Sequence, residues 1–408
     1  TGTVPMSAIG FAFLLLCAAI LILVALIFIA FLASEASIER LRPLSLSAAN
    51  NHSRNADNVP SISVIFAARN EELSIEQATR SMLALDYPNM ELIVVDDRST
   101  DQTPSILLRL KQESPDALQT IRVELLPHEW LGKCHALHVG AQSARGEWLL
   151  FTDADIHMHP STLQTTLDFA SRKKADHLTL APYCNMPSWI LNTFVATFAF
   201  LFKAFVKPNQ ISNPKSSAHV GVGAFNLVRR STYQAIGGHA SVRLCPDDDV
   251  KLGKRIKLAG FQQRFANGMD LIRVPWYASL GEVFRGLEKN CFAGIDYSIP
   301  TWIGSNIFIF SSAILPWLLL PFATGTPLLL LAIACALWLC IGSINAIRCG
   351  YRIDHGLALP IGIFLFLLVL NRSVILTLIR RGIFWRDTFY SLDELRKFQN
   401  QSPPKPPT

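Results

Sequence analysis

The chain has 408 residues, enough for two or three domains; half of them are hydrophobic and only 17% are charged, a balance outside that of ordinary soluble proteins. The net charge of +6 is spread along the chain with no basic block, which argues against a nucleic-acid partner. None of the 8 cysteines forms a C-x-x-C pair, and Cys17, Cys335 and Cys340 fall in apolar runs. Buried free thiols are expected rather than a disulfide framework or a zinc site.

Residues 9–33 carry no charge. At ~1.5 Å per residue they reach roughly 38 Å, enough to cross a bilayer with tilt, so 1–33 reads as an N-terminal transmembrane helix. Arg40 and Arg42 follow it and no Lys or Arg precedes it; the positive-inside rule then puts the next segment in the cytoplasm. Residues 34–60, rich in Ser and Asn, read as a linker. Over 61–295 the pattern is that of an α/β domain. Strands are expected at 61–67, 91–95, 123–126 and 146–152, with helices at 71–85 (capped by Asn70) and 103–113, and another started by Pro160. This alternation implies an open, mostly parallel sheet with helices on both faces. Residues 221–230 read as a strand with a flexible entrance, 231–236 as a short helix stopped by Gly237 and Gly238, and 246–258 as a helix ended by Gly260. The Phe-rich stretch 189–206, with one internal Lys, reads either as a helix lying in the membrane interface or as a core helix. Residues 297–347 are uncharged, with Gly325-Thr326-Pro327 near the middle: two spanning helices and a tight turn. A last apolar run, 357–379, contains Asn371 and Arg372. About three transmembrane helices are therefore expected over 296–379, followed by a polar tail, 380–408. Three spans would leave Arg380, Arg381 and Arg386 outside, against the charge rule. The last run either spans with Arg372 facing the bundle or re-enters with the tail inside; spanning is the expectation taken here.

Chemistry enters with Glu147-Trp148-Leu149-Leu150-Phe151-Thr152-Asp153-Ala154-Asp155, an apolar strand running into two carboxylates. Oxygen ligands at i and i+2, at the end of a strand where α/β sheets bind ligands, suit a hard divalent cation; a plain surface turn is the competing reading. Ala67-Ala68-Arg69-Asn70-Glu71 and Val94-Val95-Asp96-Asp97 also follow strands, and carboxylates there can accept from a base N–H or ribose hydroxyls. Neither stretch contains G-x-G-x-x-G, which disfavours a dinucleotide site. In Trp130-Leu131-Gly132-Lys133, Gly132 permits close backbone approach and Lys133 offers a point charge to a diphosphate; a solvated surface lysine is the alternative. Asp247, Asp248 and Asp249 open a helix, where they satisfy its dipole. Packing three like charges also raises the proton affinity of at least one, as a general base requires.

In order, A-R-N-E, V-D-D-x-S-x-D, G-K, D-A-D, G-G-H and D-D-V-K-L-G-K-R-I-K-L-A-G resemble the membrane-bound, inverting family 2 glycosyltransferases with a GT-A fold, from about residue 61 to 289. The resemblance implies a Rossmann-like nucleotide-sugar domain, with a mixed, mostly parallel sheet, flanked by transmembrane helices. It implies that Ala68, Arg69, Glu71, Asp96, Asp97, Lys133 and Asp153 bind the nucleotide sugar, expected to be a UDP-sugar, and that Asp153 and Asp155 hold Mg2+ or Mn2+. The register of Leu252 and Gly260 makes Asp248-Asp249 the matching acidic pair, with Asp249 the base. Gly223 and His239 are placed on the acceptor side, although a His beside two glycines also suits a structural role. The Q-x-x-R-W of processive members is missing. In its place, residues 282–290 are similar to the G-x-x-K-N stretch of relatives acting on carotenoid, hopanoid or ceramide-type lipids. The implied reaction is metal-dependent transfer of one sugar to a hydroxyl or carboxyl of a membrane lipid by a multi-pass protein of a bacterial inner membrane. Transfer to polyprenyl phosphate, polysaccharide synthesis and a catalytically inactive scaffold are the alternatives.

Overall fold

The structure is a computed structural model that describes residues 8–44, 59–386 and 388–399. The chain forms two compact units: an α/β unit of Ile38–Asn185, Val206–Trp276 and Arg380–Thr408, and a helical unit of Thr1–Ser37, Met186–Phe205 and Tyr277–Ile379.

The α/β unit contains thirteen strands among the described residues: β1 (Glu39–Arg40), β2 (Ile62–Ala68), β3 (Met90–Asp97), β4 (Leu118–Val123), β5 (Trp148–Phe151), β6 (His157–Met158), β7 (His177–Ala181), β8 (Tyr183–Cys184), β9 (Asn226–Arg229), β10 (Gln263–Asn267), β11 (Ile272–Val274), β12 (Gly382–Trp385) and β13 (Thr388–Ser391). Eight form the main sheet, in the order β1-β10-β7-β9-β5-β2-β3-β4. All its pairings are parallel except those of β9, which runs antiparallel to both β5 and β7. The sheet is thus mixed and mostly parallel. Buried on both faces, β2 and β3 are near-continuous apolar runs, the pattern expected of a parallel sheet covered on both sides. The helix Ile75–Leu83 buries Ile75, Ala78, Thr79 and Met82, the i, i+3, i+4, i+7 spacing that makes one helical stripe. Inside the sheet, Gln263 Nε2 donates to His177 Nδ1 (3.1 Å), which leaves the His177 Nε2 hydrogen for Asn226 Oδ1. Three strands are tied by one polar chain, and burial pushes the His177 pKa down to about 4.

Two local expectations change. The strand expected at 123–126 ends at Val123, because β4 pairs with β3 from Leu92↔Leu118 to Asp97↔Val123, leaving Leu125 83% exposed. Asn70 does not cap a helix over 71–85. It takes a left-handed φ of 55°, and its Oδ1 accepts from Thr100 N at 2.8 Å, so it bridges the loops after β2 and β3 while the helix begins at Ile75. Of the segment read as a linker, 34–37 complete the first helix, 39–40 pair with β10, and 45–58 lie outside the described residues. The segment read as a polar tail is, over 382–399, a hairpin of β12 and β13 followed by the helix Leu392–Gln399.

The helical unit contains Ala8–Ser37, Trp189–Val206, Ile299–Ile309 continuing through a π turn at Phe310–Ile314, Gly325–Arg348 and Leu359–Arg380. Five of its helices are long and apolar enough to cross a membrane. Trp338 Nε1 donates to Ser312 O (2.7 Å) beside the π turn, the kind of side-chain partner that a widened turn exposes. Buried Glu35 accepts from Lys203 and from Arg348 Nε (3.2 Å), tying three helices. Such pairs are retained inside proteins only when the charges are well satisfied.

Glu91 supplies a test of the α/β unit. Burial pushes its carboxyl up, but Ser63 Oγ (2.6 Å), Arg145 N (2.6 Å) and Arg145 Nε (3.0 Å) all donate to it and together hold its pKa below the ordinary value. Its contribution to stability is therefore complete at neutral pH and is lost as pH falls through the lowered pKa. Glu91→Gln is expected to cost about 1–2 kcal/mol at pH 7, and the difference in denaturation midpoint should narrow as acid protonates Glu91. A pH-independent difference would exclude this account.

Candidate active site

The site is built on one edge of the main sheet. Ala68 ends β2 and pairs with Asp96 near the end of β3; Asp153 and Asp155 follow β5. Because β9 is antiparallel, Phe151↔Asn226 brings the start of β9 to the end of β5. The loop before β9 is thereby laid across the acidic strand end, where Thr152 Oγ1 donates to Ala224 O at 2.8 Å. A methyl group added to Gly223 would fall 2.8 Å from Asp153 Oδ2 and 3.4 Å from Asp249 Oδ2. These two carboxylates, distant in sequence, converge on one bare Cα.

Lys133 lies in the first turn of the helix Gly132–Ser143, an element not anticipated from the sequence. Leu131 N donates to Arg243 O (2.9 Å), fixing the entry to that helix. Lys133 Nζ stands 2.7 Å from Asp153 Oδ1 and 3.7 Å from Asp248 Oδ1. Burial acts to lower the Lys133 pKa, but Asp153, Asp248 and Asp249 outweigh it and hold the pKa well above the ordinary value. The acids respond oppositely. Burial, then repulsion from Asp153, raises Asp155 to about 6. Asp248 and Asp249 are both raised, by burial first and by neighbouring carboxylates against the pull of Lys133. Asp249 is half-buried and its Oδ1 accepts from Val250 N (2.8 Å), while Asp248 is buried. Asp247 is turned to Lys251 (3.2 Å).

Four carboxylates around one ammonium leave excess negative charge that a cation relieves. Among the described residues, no group of three or more His, Cys, Asp or Glu forms a metal site by itself. The pair Asp153 and Asp155 fits a hard cation such as Mg2+ or Mn2+, which keeps waters and completes its shell with a bound anion.

His239, expected on the acceptor side, is 1% exposed. Its backbone N donates to Tyr233 Oη (3.0 Å), whose own hydrogen goes to Nδ1 (2.8 Å). That leaves the ring proton on Nε2, which is 3.8 Å from Asp248 Oδ2. Burial, then Lys133, pushes the His239 pKa down to about 3, so the ring is neutral and supports Asp248 from below. Asp96 and Asp97 are also enclosed, at 3% and 4% exposure. Asp96 accepts from Ser99 N (3.1 Å) and pairs with Arg122 (3.1 Å), and Asp97 pairs with Arg98 (2.8 Å). A methyl on Gly132 would fall 2.3 Å from Asp97 Oδ2, so Asp97 packs on the backbone that carries Lys133. The Glu71 carboxylate lies 3.6 Å from Arg386 and accepts from Ser74 Oγ (3.1 Å).

The sequence reading missed three residues here. Tyr233 sets the His239 tautomer. Arg386 donates to the carbonyl of Arg69, and Tyr390 Oη donates to Trp130 O at 2.8 Å. The hairpin of β12 and β13 thus touches both loops read as donor-binding. The density of aromatics in Phe384-Trp385-Arg386-Asp387-Thr388-Phe389-Tyr390 was the available signal.

The sequence model of the family described as "Glycosyl transferase family 2" matches residues 63–237. Among curated proteins, the chain is 24% identical over 258 residues to a 4,4'-diaponeurosporenoate glycosyltransferase of Staphylococcus haemolyticus, covering 60% of this chain and 65% of that protein. It is 33% identical over 119 residues to a beta-monoglucosyldiacylglycerol synthase of a Nostoc species, covering 29% and 25%. The matches thus span less than two thirds of these relatives. Among solved structures, a mannosyltransferase from Pyrobaculum calidifontis, in complex with GDP-Man and Mn2+, superposes with a TM-score of 0.54 at 19% identity, covering 90% of this chain and 98% of the other. That likeness shows the GT-A fold.

Tyr233→Phe removes one oxygen and strands two buried groups of His239. It should cost about 1–3 kcal/mol, measured as a lower denaturation midpoint. A midpoint equal to that of the unaltered protein would mean that Tyr233 does not hold His239 as described.

Proposed function

We propose that this chain, whose residues 63–237 match the family 2 glycosyltransferase model, moves one sugar, with inversion, from a nucleoside-diphosphate sugar to a hydroxyl or carboxyl of a membrane lipid. The observation that carries the reading is the convergence of Lys133, Asp153 and Asp249 at Gly223. It supplies a cationic group and a candidate base within one small space. The relatives named for diaponeurosporenoate and monoglucosyldiacylglycerol favour a lipid acceptor. The apolar helices favour residence in a membrane, taken as a bacterial inner membrane, and Arg40 and Arg42 favour a cytoplasmic catalytic unit.

In this reading Lys133 binds the donor diphosphate and stabilises the charge that grows on it as the sugar leaves. Asp153 and Asp155 would hold Mg2+ or Mn2+, which when bound supplies further Lewis-acid stabilisation of that charge. The peptide groups of the Ala68-Arg69-Asn70-Glu71 loop and the Asp96-Asp97 loop frame the nucleotide. Asp96 and Asp97 act there by holding Arg122, Arg98 and the Gly132 backbone. Asp249 takes the proton from a neutral acceptor hydroxyl, and its raised proton affinity suits that task. Asp248 and the neutral His239 keep it in position. Inversion follows from a single in-line displacement at the anomeric carbon.

Three measurements test this. Membranes containing the protein, incubated with labelled nucleotide sugars (UDP-sugars first), should yield a glycosylated lipid by mass spectrometry; labelled polymer instead of single-sugar products would refute single transfer. Asp249→Asn should lower the rate ~10²–10⁴-fold with donor affinity retained, whereas Asp247→Asn, turned to Lys251, should do far less. Full activity of Asp249→Asn would point to an acceptor already ionised, such as a lipid phosphate. Asp153→Ala and excess chelator should each abolish turnover; full activity in chelator would remove the metal from the scheme.

A further inference from the structure

We infer that three of the five apolar helices, Ala8–Ser37, Ile299–Phe322 and Gly325–Arg348, cross the membrane. The other two, Trp189–Val206 and Leu359–Arg380, lie side by side in the plane of its inner face, forming a platform whose partner is the bilayer surface.

Chain connectivity gives the first argument. The α/β unit is one compact body and occupies one side of a membrane. The chain leaves it after Asn185 and is back in it at Val206, so a single helix between these points cannot cross. It leaves again after Trp276 and returns at Arg380, so the crossings between must be even in number. Three apolar helices lie there. Ile299–Phe322 and Gly325–Arg348 are joined by two residues and are free of charged residues until Arg348; they make one out-and-back pair. Leu359–Arg380 is left without a crossing.

Polar contacts give the second. A crossing helix has partners spread over the depth of the membrane, from one end of its neighbours to the other. Trp189–Val206 meets polar partners along its whole length. Trp189 Nε1 donates to Asp354 (3.0 Å), Thr193 Oγ1 meets His355 Nδ1 (3.2 Å), Ala196 O accepts from Asn345 (2.7 Å), and Lys203 pairs with Glu35. Glu35 and Asn345 belong to the last turns of two crossing helices, and Asp354 and His355 come just after one of them. All four partners therefore sit near one membrane face. Thr197 touches Gly362, and Phe198 faces Phe366 at 6.5 Å between ring centres, which sets the two in-plane helices against each other.

The same holds for Leu359–Arg380. Gly356, just before it, packs on Gly342 in the last turns of Gly325–Arg348. Halfway along it, Asn371 accepts from Trp302 Nε1 (2.9 Å) and donates to Asn306 (2.8 Å), both in the first turns of Ile299–Phe322. The next residue, Arg372, pairs with Glu288 (3.1 Å) at the end of the amphipathic helix Leu280–Glu288. The beginning and the middle of this helix are thus at one depth. An arginine at mid-membrane is costly; at the interface it is at home. Ile361, Phe364, Leu368, Ile375 and Ile379 are 43–72% exposed and spaced as one helical stripe, the apolar face that an in-plane helix lays on lipid.

The test uses the full chain in vesicles of phosphatidylethanolamine and phosphatidylglycerol. A fluorescent unnatural residue is placed singly at Ile361, Leu368 or Ile375 and quenched by lipids brominated at known depths. The in-plane arrangement predicts equal depths. A crossing helix predicts a spread of ~21 Å over those fourteen residues, and a spread of that kind would overturn the inference. The same label at Leu329 and Ile347 should show the large spread and calibrates the scale. A cytoplasm-only reporter fused after Gln399 should be active; activity confined to an external reporter there would also overturn it.

Discussion

Much of the α/β unit depends on one antiparallel strand. β9 enters between β5 and β7, both of which it opposes. Had it run parallel to them, its entrance loop would open at the far edge of the sheet. Because it runs the other way, the loop holding Gly223 arrives where Asp153 leaves. The next elements then return the helix Asp248–Leu258 to the same edge, with its Asp249 carboxylate beside Gly223. Ligands in open α/β sheets gather outside the strand ends where the strand order reverses; here the order reverses at β2, with β3 on one side and β5 on the other, and β9 adds its entrance loop to that edge.

The electrostatics follow from the convergence. Asp153, Asp248 and Asp249 surround Lys133, so each group's proton affinity is set by its neighbours as much as by burial. Lys133 is held charged, while the carboxyls of Asp155, Asp248 and Asp249 are held above their ordinary values. His239 and Tyr233 lie beneath as a neutral support joined by two hydrogen bonds. A buried network of this kind fixes its members in place only when every one of them is satisfied.

The helical unit answers a different constraint. Six of its charged and amide side chains, Glu35, Lys203, Asn345, Arg348, Asn371 and Arg372, find partners within the unit. The remaining helix surface is left to apolar side chains such as Ile29, Ile303 and Ile333. In hydrocarbon an unpaired polar group is expensive, so the positions of these pairs carry information about depth that hydropathy alone does not.

How much the sequence determined can be judged element by element. Continuous apolar runs marked β2, β3 and β5, because a strand buried on both faces must be apolar throughout. Charge-free runs marked the long helices, and the ordered acidic and basic motifs marked the resemblance to family 2 glycosyltransferases. These are local signals, or matters of order along the chain. Asn70 looked like a helix cap, yet its partner Thr100 lies thirty residues away across a loop pair. His239 beside two glycines suited either an acceptor contact or a structural role, and Tyr233 and Asp248 enclose it. The aromatic run 384–390 looked like part of a tail, yet it folds into a hairpin against Arg69 and Trp130. Arg372 in an apolar run could be read either way until Glu288 was found beside it. Hydrophobic pattern and motif order are written residue by residue, so the sequence alone determined the fold class, the likeness to family 2 glycosyltransferases and the candidate acids. Which group faces which, and at what depth, depends on contacts between segments far apart in the chain, and only the tertiary structure decided that.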